Sequence, residues 1–310
     1  MTNGKVARTR WTAMHQFASS FGFRHSSFIR EFGFRHFPLL FVLAFSNCNQ
    51  PAPPPATQPI TTIASTVPAA TDLLVGMGAQ SHLVAVSSYD DVDHLPKAGD
   101  YQTIDWELLA SLHPSVLITQ MKPELQSAGF KARAAGLHIT PVNVQIENLD
   151  DIFNAIDVLG NALKDTAMSA AAKHQMHDRL AGVRNRVAGE KAVRTLIVTG
   201  GTPDFIAAPG GYLDDLLNIA GGVNAAPASS QHWPSIDREK LLSLQPDAII
   251  QLMPGASSQE KQQAAGIWKQ YPQIPAVAAG RVYPINADYA LKPGWHVTDL
   301  AEQFSRCLHP

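Results

Sequence analysis

Apolar residues follow two rhythms along this chain, and the points where the rhythm changes divide it. Ile60–Thr66 (ITTIAST) is dense in β-branched residues, which suits a buried strand. Pro68-Ala-Ala-Thr71 then opens a helix over Asp72–Met77 that stops at Gly78. Leu83–Ser88, Ser115–Thr119 and His138–Asn143 read as three more strands, with helical segments between them. Alternation of strand and helix implies an α/β lobe with a mainly parallel sheet. From Asn148 to Val187 the rhythm is helical only: Leu149, Ile152, Phe153, Ile156 and Leu159, then Met168, Ala172, Met176, Leu180, Val183 and Val187. Gly160–Asp165 interrupts this run. The second of the two helices, from about Asp165 to Ala188, extends roughly 35 Å at 1.5 Å per residue. Alternation resumes with strand Thr195–Thr199, helix Tyr212–Ala220, strands Ala248–Leu252 and Arg281–Ile285, and a helix from about Val297 to Leu308. The expected fold is two similar α/β lobes with mainly parallel sheets, residues 60–147 and 191–310. A helical linker, residues 148–190, joins them through a single long rigid helix.

The lobes echo each other in sequence. Ile104-Asp-Trp-Glu-Leu-Leu-Ala-Ser-Leu-His-Pro-Ser-Val-Leu-Ile118 aligns, 132 residues on, with Ile236-Asp-Arg-Glu-Lys-Leu-Leu-Ser-Leu-Gln-Pro-Asp-Ala-Ile-Ile250, with eight of fifteen positions identical. Each copy reads as an Asp-capped helix, a proline that stops it, and a strand. Asp72-Leu-Leu before Gly78 has a second echo in Asp215-Leu-Leu before Gly221. Two like lobes imply a cleft between them, where small-molecule sites favour forming.

The first sixty residues carry a different signal. Residues 1–36 hold Arg8, Arg10, Arg24, Arg30 and Arg35 against one acid, Glu31; Pro38–Phe45 is a short apolar run; Ser46, Asn47 and Cys48 follow. A basic stretch, a short apolar core and small residues make a secretory signal, too short to span a bilayer. A cysteine directly after that core suggests a lipoprotein signal over residues 1–48, with Cys48 acylated as the mature N-terminus. Plain cleavage nearby, with Cys48 incidental, is the other reading, and the long basic stretch also fits a start at Met14. Residues 49–59, rich in proline, form an extended tether. Two cysteines, Cys48 and Cys307, are too few for a disulfide framework or a Cys-rich metal site. A net charge of −2 with no basic block among aromatics argues against nucleic acid.

Catalytic motifs are missing: no P-loop, no G-x-S-x-G, no H-E-x-x-H, no C-x-x-C. The Gly76-Met-Gly78 segment ends a helix instead of following a strand, which disqualifies it as a dinucleotide loop. His174 and His177 share a helical face, an arrangement open to a metal but commoner on a solvated surface. Aromatics at strand ends are more telling. Tyr89, Tyr101, Trp233, Tyr289 and Trp295 all lie in loops after predicted strands or before the repeated helices. Loops at the carboxyl ends of strands border the ligand crevice of open α/β sheets, and aromatics there give flat surface with few rotors to freeze. Covering a core edge is the ordinary alternative for one or two of the five. These features point to an exported receptor for a small molecule, with no catalytic role.

The chain resembles the periplasmic substrate-binding proteins of ABC importers for cobalamin, haem and iron-siderophores. The resemblance rests on Ile63-Ala-Ser-Thr-Val-Pro-Ala-Ala-Thr-Asp-Leu-Leu, Val86-Ser-Ser-Tyr, both repeat copies and Trp233-Pro-Ser-Ile-Asp-Arg-Glu, and spans residues 60–308. It implies no catalytic cofactor and a monomer of the helical-backbone, metal-chelate receptor type, in the periplasm or lipid-anchored to the membrane. Tyr89, Tyr101, Trp233 and Tyr289 are implied to stack on a corrinoid, with Trp295 alongside. Glu107 and Glu239, one per lobe, are implied to dock on a dimeric ABC permease. Haem or a ferric siderophore is the alternative ligand, although no arginine cluster accompanies the aromatics. An exported metal-dependent hydrolase is the alternative from another class. Some relatives pair a cysteine at position 307 with one where Ala220 stands here, so Cys307 is expected to be a free, buried thiol.

Overall fold

The computed structural model describes residues 60–92, 94–200, 205–208, 210–226, 229 and 233–310, and Thr61–Pro310 form one compact unit. The readings on residues 1–59, Cys48 among them, lie outside the described residues.

Five strands make the first sheet: β1 (Ile63–Ser65), β2 (Leu83–Ser87), β3 (Lys97–Gly99), β4 (Val116–Thr119) and β5 (Thr140–Asn143). Their order is β3-β2-β1-β4-β5, and every pairing is parallel. Crossovers supply the helices: α1 (Pro68–Gly76), α2 (Trp106–Leu112) and α3 (Ala128–Gly136). β1 and β4 are buried at every position, as central strands covered on both faces must be. β5 starts two residues later than its apolar pattern suggests, because His138 takes a positive φ of 57° in the turn after α3.

Two helices follow, α4 (Leu149–Leu163) and α5 (Thr166–Arg186). A capping box of Asn148 and Asp151 opens α4, and left-handed Lys164 closes it. Asp165 accepts from the Met168 amide at 2.9 Å and starts α5 at once. With 21 residues, α5 runs about 31 Å. The second sheet holds β6 (Val193–Thr199), β7 (Phe205–Ala207), β8 (Gly222–Asn224), β9 (Ser235–Ile236), β10 (Ala248–Leu252) and β11 (Val282–Ile285), ordered β11-β10-β6-β7-β9 with β8 also on β6. Only the β7 pairings are antiparallel among the described strands. Its helices are α6 (Gly211–Ile219), α7 (Arg238–Leu244), α8 (Ser258–Trp268), α9 (Pro275–Ala278) and α10 (Val297–Leu308).

The sequence repeat folds twice into the same device. Asp105 caps α2 through the Leu108 amide (2.9 Å), and Asp237 caps α7 through the Lys240 amide (2.8 Å). Each helix ends on a left-handed residue, His113 or Gln245, before its proline. Proline bars its predecessor from the right-handed α region, and both side chains bond to last-turn carbonyls, Ser111 and Leu242. A single apolar cluster then runs through both lobes, from Ile63 and Leu73 past Ile156 and Met176 to Leu216 and Phe304. The two sheets therefore share their inner core, and each keeps a smaller cluster on its outer face.

Candidate ligand-binding site

In the first sheet the chain leaves β1 toward β2 on one side and β4 toward β5 on the other, and such a switch in strand order is where open α/β sheets place a ligand crevice, at the carboxyl ends of the strands. The Ser88 amide donates to the Gly99 carbonyl at 2.7 Å, carrying the β2–β3 register one residue past the sheet. Tyr89 and Tyr101 follow those two strand ends and become neighbours, their rings 6.2 Å apart and inclined by 27°. Below them Asp90 is buried. It accepts from the Ser87 amide (3.1 Å), while Lys97 donates to the Asp90 and Val92 carbonyls (2.6 and 3.1 Å). Burial pushes the Asp90 carboxyl above its ordinary value, although Thr71, Lys292, the Ser87 amide and Lys97 all pull the other way. Burial, with help from Asp90 and Tyr89, likewise holds the Tyr101 phenol above the ordinary range.

The second lobe reaches the same place with Tyr212 and Lys292. Tyr212, in the first turn of α6, is buried and donates to the Ala290 carbonyl at 3.3 Å. Its phenol is held up by burial and, secondarily, by Tyr101. Lys292 Nζ lies 4.0 Å from Asp90 Oδ1 across the lobes. Trp233 is half-buried against the shared core, just before β9.

Tyr289 and Trp295 have other neighbours. Tyr289 stacks on His296 (4.8 Å, 19°), and its hydroxyl accepts from Gln303 of α10 at 2.5 Å. Trp295 packs on α1 at Gly76, where any Cβ would sit 2.1 Å from the indole. Among the described residues no ring contact joins either to the Tyr89–Tyr101 pair. They build a seam between lobes. Asp72 of α1 accepts from the Trp295 and His296 amides (2.6 and 3.4 Å), and its counterpart Asp215 of α6 accepts from the Leu149 amide (2.9 Å). Each lobe's first helix thus grips the chain leaving the other lobe's sheet. Arg179 of α5 adds a third tie, to Asp299 (2.6 Å) and Glu302 (3.0 Å) of α10.

The sequence pattern of the periplasmic binding protein family matches residues 63–289, most of the chain. The chain belongs to this family. A vitamin B12-binding protein from Vibrio cholerae is 26% identical over 250 residues, covering 79% of this chain and 88% of that one. The crystal structure of the periplasmic vitamin B12-binding protein BtuF of Vibrio cholerae matches with a TM-score of 0.65 at 27% identity, covering 81% of this chain and 97% of that one. The periplasmic haem-binding protein BhuT, solved with two haems, has the same fold (TM-score 0.64, 20% identity, 80% and 97% covered).

The remaining candidates of this binding protein are readily placed. Glu107 and Glu239 are both exposed, in the first turns of α2 and α7, and have no ion pair among the described residues. His174 Nδ1 meets Asp178 at 2.9 Å, and His177 stacks on Phe153 at 4.0 Å. No group of three His, Cys, Asp or Glu side chains is placed to hold a metal among the described residues. Cys307 is half-buried on α10, less enclosed than expected, and burial pushes its thiol up. Two depressions of about 350 and 390 Å³, around Glu190 and His309 and around Lys191 and Asp247, lie by the starts of the second sheet's strands and contain no tyrosine or tryptophan. Sequence reasoning missed Asp90, Tyr212 and Lys292. Tyr212 had a usable signal, since it opens a helix directly after a strand.

Proposed function

We propose that this chain captures a corrinoid outside the inner membrane and delivers it to an ABC permease. The observation that carries the reading is the tyrosine pair at the ends of β2 and β3, held by its own loop and faced by Tyr212 and Lys292 of the other lobe. Likeness to vitamin B12-binding proteins over four fifths of the chain supports the choice of ligand. Tyr89, Tyr101 and Trp233 supply aromatic faces, while Tyr289 and Trp295 hold the seam behind them. Binding breaks no bond in this reading. Cys48 is read as an acylated mature N-terminus that tethers the protein, which mass spectrometry of native protein tests by finding a lipid-modified or an unmodified first residue.

Haem is the second reading, since the haem-binding BhuT shares the fold. The deciding experiment incubates purified protein with cyanocobalamin, haemin or a ferric siderophore and records absorbance after desalting. Cobalamin retained near one equivalent is expected. Haemin retained alone moves the assignment to the second reading.

A further inference from the structure

Tyr89 and Tyr101 can offer flat surface only if both rings are held before a ligand arrives, because ordering a free loop on binding weakens affinity. The short loop after β2 has no helix to hold it, and Tyr89 is half-buried. What fixes the loop is a set of contacts that converge on Asp90 through both its main chain and its carboxylate. Asp90 Oδ2 accepts from the Ser87 amide (3.1 Å) while the Asp90 amide donates to the Ser87 carbonyl (3.0 Å), closing a tight turn with Tyr89 at its tip. The Tyr89 amide donates to Ser87 Oγ at 3.3 Å. Lys97 clamps the Asp90 carbonyl from β3, the strand that delivers Tyr101. Beyond the turn, the Thr71 hydroxyl of α1 also bonds to the Asp90 carboxylate, and Lys292 of the other lobe lies 4.0 Å from Oδ1.

We propose that Asp90 is the positioning residue of the tyrosine pair, fixing the Ser87–Asp90 turn so that Tyr89 meets Tyr101 and tying both to the second lobe through Lys292. The proposal rests on the ligand-binding reading above, but its geometry exists without ligand. A carboxylate buried at the tip of a loop is an expensive way to cover a core edge, since an apolar side chain would fill the same space without desolvating a charge. Its value lies in direction: one carboxylate takes the turn amide, bonds to the Thr71 hydroxyl of α1 and faces the ammonium across the seam.

The test uses the folded protein with Asp90→Ala, Tyr89→Leu and the double variant. In the absence of ligand, Asp90→Ala should remove the same near-ultraviolet circular dichroism signal that Tyr89→Leu removes. It should weaken cyanocobalamin about tenfold, and add nothing further in the Tyr89→Leu background, as expected for residues acting as a unit. An unchanged aromatic signal, or losses in affinity that multiply in the double variant, overturns the proposal. Should Asp90→Ala not fold, Asp90→Glu serves: it keeps the charge but lengthens the arm, and should perturb the aromatic signal in the same way. If the parent protein retains neither cobalamin nor haemin, the ligand reading fails, and the circular dichroism comparison still decides the role of Asp90.

Discussion

Two carboxylates show at the scale of single residues how this chain treats charge. Asp90 is pushed above its ordinary 3.8 by burial. The unfolded chain releases that proton first as pH rises, so the folded chain holds more protons in the window above 3.8, and stability falls through it. Asp90→Asn should therefore become progressively more favourable relative to the parent as pH climbs above about 4, a trend that melting temperatures across a pH series would detect. Asp299 has the opposite sign. Burial raises it, but hydrogen bonds from Arg179 and His296 prevail and hold it below 3.8. Its contribution is present above the ordinary value and is lost as pH falls through the folded one. Asp299→Asn should cost about 1 kcal/mol at neutral pH, given partial exposure, and progressively less in acid. Parallel curves for the two variants would refute at least one of the assignments. None of this was legible in sequence, where nothing in Ser87-Ser-Tyr-Asp-Asp91 marks one aspartate as buried. The aromatics at strand ends were legible, because carboxyl-end loops of α/β sheets carry sites whatever their local packing. Which of them pair was not, since Tyr289 and Trp295 are turned toward the seam by residues distant in sequence, Gln303 and Gly76.

At the scale of elements, long apolar rhythms were readable and short ones were not. The α4–α5 run and the buried strands β4 and β10 stand out because many side chains face one core. β3, three residues containing a lysine and a glycine, and two-residue β9 have too few apolar positions to set a period, and hold only by pairing to a neighbour. α8 went unread because it buries only Ala264 and Trp268. The Asp72 and Asp215 echo was visible as a repeat, yet its purpose appears only in three dimensions, as crossed grips between the lobes. Gly76 belongs to the same seam. Alanine ordinarily helps a helix by up to about 1 kcal/mol over glycine, but here the added methyl collides with the Trp295 ring. Gly76→Ala should destabilise the protein by roughly 1–3 kcal/mol net, the usual cost of overpacking, with a red shift in tryptophan emission as the indole is displaced. A more stable variant with unshifted emission would show that the seam accommodates the methyl.

The whole molecule combines a shared inner core with two outward-facing copies of one helix. Continuous packing from Leu73 through Met176 to Phe304, reinforced by three polar ties, favours lobes that move little against each other. With little change of shape available, a partner would meet surface groups already in place. Glu107 and Glu239 fit that role. Each is exposed in the first turn of a repeated helix, and each sits two residues after an aspartate that already accepts the capping bond. A carboxylate near a helix N-terminus is favourable in itself, by roughly 0.3–1 kcal/mol when exposed, and local stability is the competing account of both. That account predicts a slightly lower melting temperature and normal uptake when they are removed. The docking account predicts otherwise: a symmetric partner presents equivalent surfaces to the two copies, and charged contacts there set register and association rate. Glu107→Ala with Glu239→Ala should therefore leave cobalamin affinity unchanged and shift the melting temperature by only a few degrees, about what 1 kcal/mol produces in a chain of this size. Uptake through the cognate permease in a strain lacking the native protein should be abolished. Normal uptake by the double variant returns both glutamates to helix stabilisation alone, and loss of ligand instead of uptake places them in the cleft.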